Sequence, residues 1–485
     1  MRTRILLLSV LLAISGVPAF SQQQESAVRL WTLKECIDYA LSHNLNVKRG
    51  ELQVELSEVN FTQAKMNLLP SANASASYGY NWGRGLDPVT NQFVSSQRNN
   101  VSSLNANGSL TLFNGLRVQN SIKQGRHDVA ASEKDLAKAR NDASLLVANN
   151  FINVVFNKEQ VENASLQLAS SQQQLDRTRI QVDLGALPLS EKLNLEAQVA
   201  TNELNLVNQQ NALALSILQL KQAMQMQASE ELDVEIPALE PQDLILDQDR
   251  DEVYGIAREI MPEVKSSKLK IESSYYAMKV AKGALVPRLT LNGSLNTNYS
   301  KNSESQFVSD GGFTLGTSPL GYAQDGATQI PVYGIRPTGA ISDVYMFDDQ
   351  VKDNLYKSVG FQLTIPIFNN YTSRASFQRS VISNEQAKIN AQEIDNTLRQ
   401  NIETAYNDAI AASKSYQSAL KQVTARDEAF RMMKQRHDIG AANYVEYQVA
   451  ENNLFQAKSD LARAKYNYIF RKKLLDFYQG KPLDY

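Results

Sequence analysis

The stretch LTLNGSLNTNY, residues 289–299, places Leu289, Leu291, Leu295 and Tyr299 on one side of an extended chain. Thr290, Asn292, Ser294, Asn296 and Asn298 fall on the other side. A two-residue period of this kind marks a half-buried β-strand. The same rule holds three more times. Ala72, Ala74, Ala76, Tyr78, Tyr80 and Trp82 alternate with Asn73, Ser75, Ser77 and Asn81. Leu104, Ala106, Leu110 and Leu112 alternate with Asn105, Asn107, Ser109 and Thr111. Val359, Phe361, Leu363, Ile365 and Ile367 alternate with Ser358, Gly360, Gln362 and Thr364. The pattern predicts a β-hairpin at about 71–113 and two further strands at about 287–299 and 358–368. Between the last two, residues 300–357 are rich in Gly, Ser, Asp and Pro and read as a long loop.

Elsewhere the period is helical. No Pro or Gly interrupts 126–184 or 371–439, and small or apolar residues recur at three and four, as in Leu398, Ile402, Ala405, Ala409, Ala412 and Tyr416. That spacing predicts long helices at about 116–183 and 371–438, each packed along its whole length. The first would span ~100 Å. Past a Gly-containing break the pattern resumes at about 189–221 and 443–479, giving antiparallel helical hairpins.

The chain is written twice. Phe113-Asn114-Gly115 recurs as Phe368-Asn369-Asn370, and Leu184-Gly185-Ala186 as Ile439-Gly440-Ala441, both 255 positions on. Leu69-Pro70 matches Val286-Pro287, and Ala40 matches Ala257, at 217. The second copy therefore carries 38 more residues inside its strand pair. The expected layout is a first repeat over 22–221, an acidic linker over 222–250, a second repeat over 251–479 and a tail over 480–485. The linker has Pro237 and Pro241, and 222–249 carries no Lys or Arg.

Arg2 and Arg4 precede an apolar run from Ile5 to Ile14 and then Ala19-Phe20-Ser21, the order of a secretory signal peptide over 1–21. The run is too short to span a bilayer core of ~30 Å, and no stretch of 18 apolar residues follows residue 22. Cys36 is the only cysteine, which excludes an intrachain disulfide, and it reads as a small buried side chain on a helix. Net charge is −2 with 21% charged residues, so composition points to no nucleic-acid partner. The histidines, His43, His127 and His437, lie far apart without metal-ligand spacing, and the chain has no P-loop and no nucleophile elbow. The sequence offers no catalytic constellation, no cofactor motif and no metal site.

An exported chain with two-faced strands and no membrane helix is either a soluble sheet on a core or a membrane β-barrel. Every neighbouring segment is coiled-coil helix, which leaves little to cover an apolar sheet face. A lipid-facing wall needs no cover, and closing the barrel satisfies its edges. On that reading Tyr78, Tyr80, Trp82, Leu110, Leu112, Leu289, Leu291, Leu295, Tyr299, Phe361, Leu363 and Ile365 face lipid, with Tyr78, Tyr80, Trp82 and Tyr299 as a girdle near one end. Four strands cannot close a barrel. Two protomers would supply eight, a lumen that side chains fill, and three would supply twelve, an open lumen. The inward asparagines and serines favour the wetter solution.

The order of elements, the twofold repeat, FNG leading into a long helix and the Gly-containing breaks resemble the TolC-like outer-membrane efflux proteins. The resemblance runs from Trp31 to about Tyr478. It implies a homotrimer sharing a twelve-stranded barrel in the outer membrane of a Gram-negative-type cell. A tunnel of long α-helices would extend into the periplasm. The implied role is a passive exit duct that works with a periplasmic adaptor and an energy-supplying inner-membrane transporter. Such proteins often carry a V-G-L-like stretch at each hairpin tip for adaptor docking. Leu184, Gly185, Ala186, Ile439, Gly440 and Ala441 occupy those positions, with the glycines kept and their neighbours changed. The family also tends to place acids just beyond the tips as a tunnel gate. Glu191 and Glu446 stand there, but Asn194 and Val449 replace the second acid of each pair. The plainer reading is that the two glutamates only favour helix starts, Glu446 within a capping box begun by Asn443. Arg179, Lys434 and Arg436 are candidate latches between hairpins or ordinary solvated side chains.

A soluble periplasmic scaffold or adaptor would also explain the helices and the signal, though not strands at matching places in both halves. A surface enzyme built on 300–357 has only the size of that stretch in its favour. Cell fractionation separates these readings. A barrel is expected in outer membranes as a heat-modifiable oligomer, and recovery of the protein in the soluble periplasmic fraction would exclude the wall.

Overall fold

A computed structural model of the protein describes residues 29–87, 89, 91, 93–94, 99–237 and 249–483. The signal segment 1–21, Pro241 within the acidic linker and the last two residues of the tail lie outside the described residues. In chain order the elements begin with β1 (Leu30–Trp31), α1 (Leu33–His43), α2 (Leu45–Met66), β2 (Ser71–Asn81), β3 (Gly85–Leu86), β4 (Phe93–Val94) and β5 (Asn99–Phe113). The helices α3 (Arg117–Asp183) and α4 (Leu189–Met224) follow, then β6 (Asp233–Val234), α5 (Arg250–Ile260) and α6 (Pro262–Gly283). The chain continues through β7 (Arg288–Ser300), a 3-10 turn (Lys301–Ser303), β8 (Ser305–Asp325), β9 (Thr328–Asp343), α7 (Phe347–Asp353) and β10 (Tyr356–Thr364). It closes with α8 (Thr372–Asp438) and α9 (Tyr444–Tyr478). Helices α3 and α8 have 67 residues each, and their bounds are displaced by 255 at both ends. The bounds of α1 and α5, and of α2 and α6, are displaced by 217.

The chain divides into two compact units. The first comprises the described parts of Met1–Val47, Arg140–Val253 and Glu403–Tyr485. Its core gathers Cys36, Ala40, Val147, Phe151, Val154, Val155, Leu220, Met224, Val234 and Tyr466. Cys36 is fully buried there, and burial pushes its thiol pKa up to about 12. The acidic stretch after α4 is more than a tether. Residue pairs Leu30↔Asp233 and Trp31↔Val234 form a short parallel ladder. The Lys158 ammonium clamps this ladder by donating to Asp233 at 2.6 Å and to the Val234 carbonyl at 2.8 Å. Leu232 and Val234 supply the apolar contact that fixes it.

The second unit comprises Lys48–Ala139 and Tyr254–Ile402. Its helices approach closely through small residues, with Ser57 and Ser132 bonded at 2.9 Å and Ser273 donating to Asp128 at 2.5 Å. Strands β10, β7, β5 and β2 lie side by side in that order, every pair antiparallel. The two expected strand pairs are thus one sheet, joined through β5 and β7, with β2 and β10 at its edges.

Residues 300–357, expected as a loop, fold instead into the β8–β9 hairpin, a 3-10 turn and the short helix α7. Turn-forming residues within strands disguised the hairpin. Its ladder shifts register between Ser309 and Phe313 and again around Pro319, where Gly and Pro sit in irregular stretches. Asp87, buried directly after β3, accepts from Ser300 Oγ at 2.5 Å and ties the first loop to the end of β7.

The FNG motif has a structural reason. Gly115 adopts φ +68°, and a Cβ there would stand 2.6 Å from the Gly283 carbonyl oxygen, where α6 ends. Gly115→Ala is therefore expected to destabilise the protein by about 1–3 kcal/mol. Gly79→Ala, where a Cβ meets nothing within 4 Å, is expected to leave the thermal midpoint unchanged.

Candidate functional site

The wall is built in the second unit by strand register. Ala74 lies opposite Ala106, which lies opposite Leu295, and Leu110 opposite Leu291, which lies opposite Phe361. One face of the sheet therefore carries the apolar residues of all four strands. The other carries Asn73↔Asn107↔Ser294↔Ser358 and Ser71↔Ser109↔Asn292. On that face hydroxyls and amides join across strands. Ser71 and Ser109 meet at 2.9 Å, Ser77 and Ser103 at 2.6 Å, and Ser294 and Ser358 at 2.7 Å. Asn292 donates to Gln362 at 3.3 Å. Side chains and backbone here enclose a depression of about 410 Å³ without a charged group.

Of the residues expected to face lipid, Tyr78, Tyr80, Trp82, Leu112, Leu295, Phe361, Leu363 and Ile365 are exposed, and Leu110, Leu289 and Leu291 are half-buried. Two details differ. A bulge at Leu112 makes Phe113, rather than Leu112, the partner of Leu289, so Phe113 belongs with this face. Tyr299 is on the expected face but only 9% exposed. Its hydroxyl donates to Glu304 at 2.5 Å, and its ring stands edge-on to Phe347 of α7 at 5.1 Å. The helix that covers it sits in the stretch expected to be loop.

The helical turns lie in the first unit. After α3 the amide of Gly185 bonds the Val182 carbonyl at 2.9 Å, and that of Ala186 bonds Gln181 at 2.8 Å. Gly440 and Ala441 bond His437 and Arg436 at 3.0 and 2.8 Å after α8. Both are Schellman turns, with glycine in the left-handed region at φ +76° and +73°. Each turn leaves an aliphatic side chain in solvent, Leu184 at 78% exposure and Ile439 at 80%. Ala186 and Ala441 are exposed beside them.

The two glutamates beyond the turns differ. Asn443 caps α9 by accepting the Glu446 amide at 2.9 Å, and the Glu446 side chain is exposed. Glu191 is half-buried, and its Oε2 is buried without a hydrogen-bond partner. Arg436 donates to the Ala441 carbonyl of its own turn at 3.2 Å, while Arg179 and Lys434 are exposed.

A buried acid that sequence reasoning missed lies one turn further along α9. Glu451 accepts from Ser170 of α3 at 2.5 Å and from the Tyr447 hydroxyl at 3.4 Å. Burial raises its pKa above the ordinary 4.5, outweighing the two hydroxyls and the Lys434 charge. Burial, aided by Glu451, pushes Tyr447 up to about 12 and also raises Tyr444. Tyr444, Tyr447 and Glu451 are spaced by three and four, so their shared helix face was readable, though its burial was not. Nearby, α3, α4 and α9 line a groove of about 790 Å³ rich in amides, including Gln167 bonded to Asn452 at 3.0 Å.

Among the described residues no group of three His, Cys, Asp or Glu is placed to hold a metal. The histidines are apart: His43 stacks on Tyr39, His127 pairs with Glu272 at 2.8 Å, and His437 lies over Tyr447. No helix among the described residues is long and apolar enough to cross a membrane.

Comparison with known proteins gives one answer. The family model described as outer membrane efflux protein matches residues 36–224 and 253–477. The outer membrane protein TolC of Escherichia coli is 20% identical over 468 residues, covering 95% of this chain and 83% of that protein. The CmeC outer membrane channel of Campylobacter jejuni superposes with a TM-score of 0.69 at 17% identity, covering 98% of this chain and 94% of that one. VceC, the outer membrane protein of Vibrio cholerae, gives 0.69 at 14% identity and 93% and 97% coverage.

The raised Glu451 pKa sets a pH dependence. The native state holds this proton more tightly than the unfolded chain, so stability from this site falls as pH rises from about 4.5 through the native value. Glu451→Gln keeps an acceptor and removes the charge. It is expected to unfold at a higher temperature than the wild type at neutral pH, with the difference vanishing below about 4.5.

Proposed function

The chain belongs to the outer membrane efflux protein family, and from that premise we propose that three copies share a twelve-stranded barrel and form a passive exit duct. The observation that carries this reading is the sheet itself. One face is mainly apolar, the other is a hydroxyl and amide ladder, and both edges, β2 and β10, end without a partner strand among the described residues. Lipid outside, water inside and a neighbouring copy at each edge satisfy all three features at once. Order alternates correctly for closure, since β10 of one copy is antiparallel to β2 of the next. The matched displacements of α1 with α5, α2 with α6 and α3 with α8 support two structural repeats per chain.

On this reading the helices extend from the outer membrane into the periplasm as a tunnel. The exposed turns at Leu184-Gly185-Ala186 and Ile439-Gly440-Ala441 meet a periplasmic adaptor, which links the duct to an inner-membrane transporter. The tunnel rests closed at these turns and opens when the adaptor splays them. Arg179 and Lys434 are free to latch neighbouring hairpins, whereas Arg436 already serves its own turn. Glu191 and Glu446 supply six carboxylates in a trimer, a field that favours cations.

Recordings from the purified protein in planar bilayers test this. Stable conductance steps with cation preference are expected, and the pair Glu191→Ala and Glu446→Ala is expected to reduce that preference. Absence of conductance from inserted protein even with the adaptor engaged would remove the duct reading, and unchanged selectivity in the variant would leave the glutamates as helix-start residues only.

A further inference from the structure

The helices next to the sheet carry charge of one sign. Asp87 is the only acid between Glu58 and Asp128, no acid occurs between Glu272 and Glu304, and none between Asp353 and Glu385. Asp87 follows β3, at the far end of the strands, and bonds Ser300 at the end of β7. Where α2 ends, Lys65 is exposed and stands over the Phe61 ring at 3.9 Å. Where α3 begins, Arg117, Lys123 and Arg126 are exposed. Lys282 is exposed at the end of α6, and Lys279 stands over Tyr275 at 4.4 Å. Arg374 and Arg379 are exposed at the start of α8. None of these eight cations forms an ion pair with a described residue. The first acids beyond them on α3 and α6 are already engaged, Asp128 with Ser273 and Glu272 with His127.

Between this collar and the strands lies an apolar ring. Leu69, Leu116, Leu285, Ile367 and Phe368 are all exposed at the four junctions between strand and helix, Ile367 at 95% and Phe368 at 83%. Chain order therefore repeats one sequence of environments four times: two-faced strand, exposed aliphatic junction, unpaired cation. The far end of the strands carries both signs, with Asp87, Glu304, Asp310, Asp325 and Asp343 but also Arg84, Lys301 and Arg336, and Lys301 pairs with Glu304.

We infer that this collar is a binding surface for anionic phospholipid headgroups of the leaflet nearest the helices. The aliphatic junctions would enter the acyl boundary, and Lys and Arg one to three turns along each helix would meet phosphate. Tyr275, Tyr276 and Phe61 hold ammonium groups at their ring faces, keeping those chains at interfacial depth. The collar fixes how deeply the sheet sits. Each cation that meets a headgroup is worth about fivefold in local preference for anionic lipid. This inference rests on the membrane-wall reading.

The test uses the full-length protein in vesicles of phosphatidylethanolamine with a minor share of phosphatidylglycerol, followed by native mass spectrometry of the lipids it retains. Retained phosphatidylglycerol is expected several-fold above its bulk share, and high salt is expected to return the wild type toward the bulk ratio. The combined variant Lys123→Gln, Lys282→Gln, Arg374→Gln and Arg379→Gln is expected to lose the enrichment, whereas Arg336→Gln on the distant hairpin keeps it. Bulk lipid ratio in inserted wild-type protein, or enrichment that persists in the combined variant, overturns the collar and leaves the wall standing. Binding of inserted protein to isolated peptidoglycan sacculi through the same four residues, without lipid preference, overturns it in favour of the wall polymer. Failure to enter these vesicles overturns both readings.

Discussion

A sheet cannot end in hydrocarbon. Each unpaired N–H or C=O at a strand edge would cost several kcal/mol in a lipid environment, and β2 and β10 present two rows of them. That requirement orders the rest of the proposed assembly. The edges demand another copy, and the uniform apolar face demands lipid. Serines and asparagines on the remaining face are affordable only if water reaches them or they bond one another, as Ser71–Ser109 and Ser294–Ser358 do. The described sheet has four strands, and in the proposed assembly membrane insertion and association become a single event.

The helical turns answer to a different constraint, the placement of charge near a buried surface. Schellman geometry satisfies the last carbonyls of α3 and α8 and leaves Leu184 and Ile439 in solvent. Just beyond, the two acids that sequence reading treated alike are unequal: Glu446 is exposed, while Glu191 hides an oxygen that no described residue satisfies. Glu451 is deeper still and depends on hydroxyl donors from α3 and α9. Polar groups concentrated at the turns, rather than a large apolar core, suit the change of packing that the proposed opening requires.

Strand periodicity, helix length and the glycine turns were legible because each is a local pattern with one dominant period. The bounds of α3 and α8 follow from the runs between FNG or FNN and the glycines, with Gly125 the one interruption in α3. The β8–β9 hairpin was not legible, since Gly311, Gly312, Pro319 and Gly321 break its alternation where the ladder changes register. Nor was the burial of Tyr299, which depends on α7 covering an otherwise ordinary outward position. The acidic linker misled in the same way. Its two anchoring residues, Leu232 and Val234, are too few to announce a strand, and they matter only because Trp31 and Lys158 meet them. At the turns, spacing identified which residues lie near the glycines, but only tertiary packing separated Glu451 from its solvated neighbours.

The equal length of α3 and α8, 67 residues each, has an evolutionary corollary. Inserting one residue into either would rotate everything beyond it by about 100°, turning packed side chains toward water over most of a hundred-ångström rod. Indels in these rods are therefore tolerable only as paired events of seven or eleven residues, near a whole number of turns. Divergence in size among homologues should instead accumulate in the β8–β9 extension, where added residues disturb no register but their own.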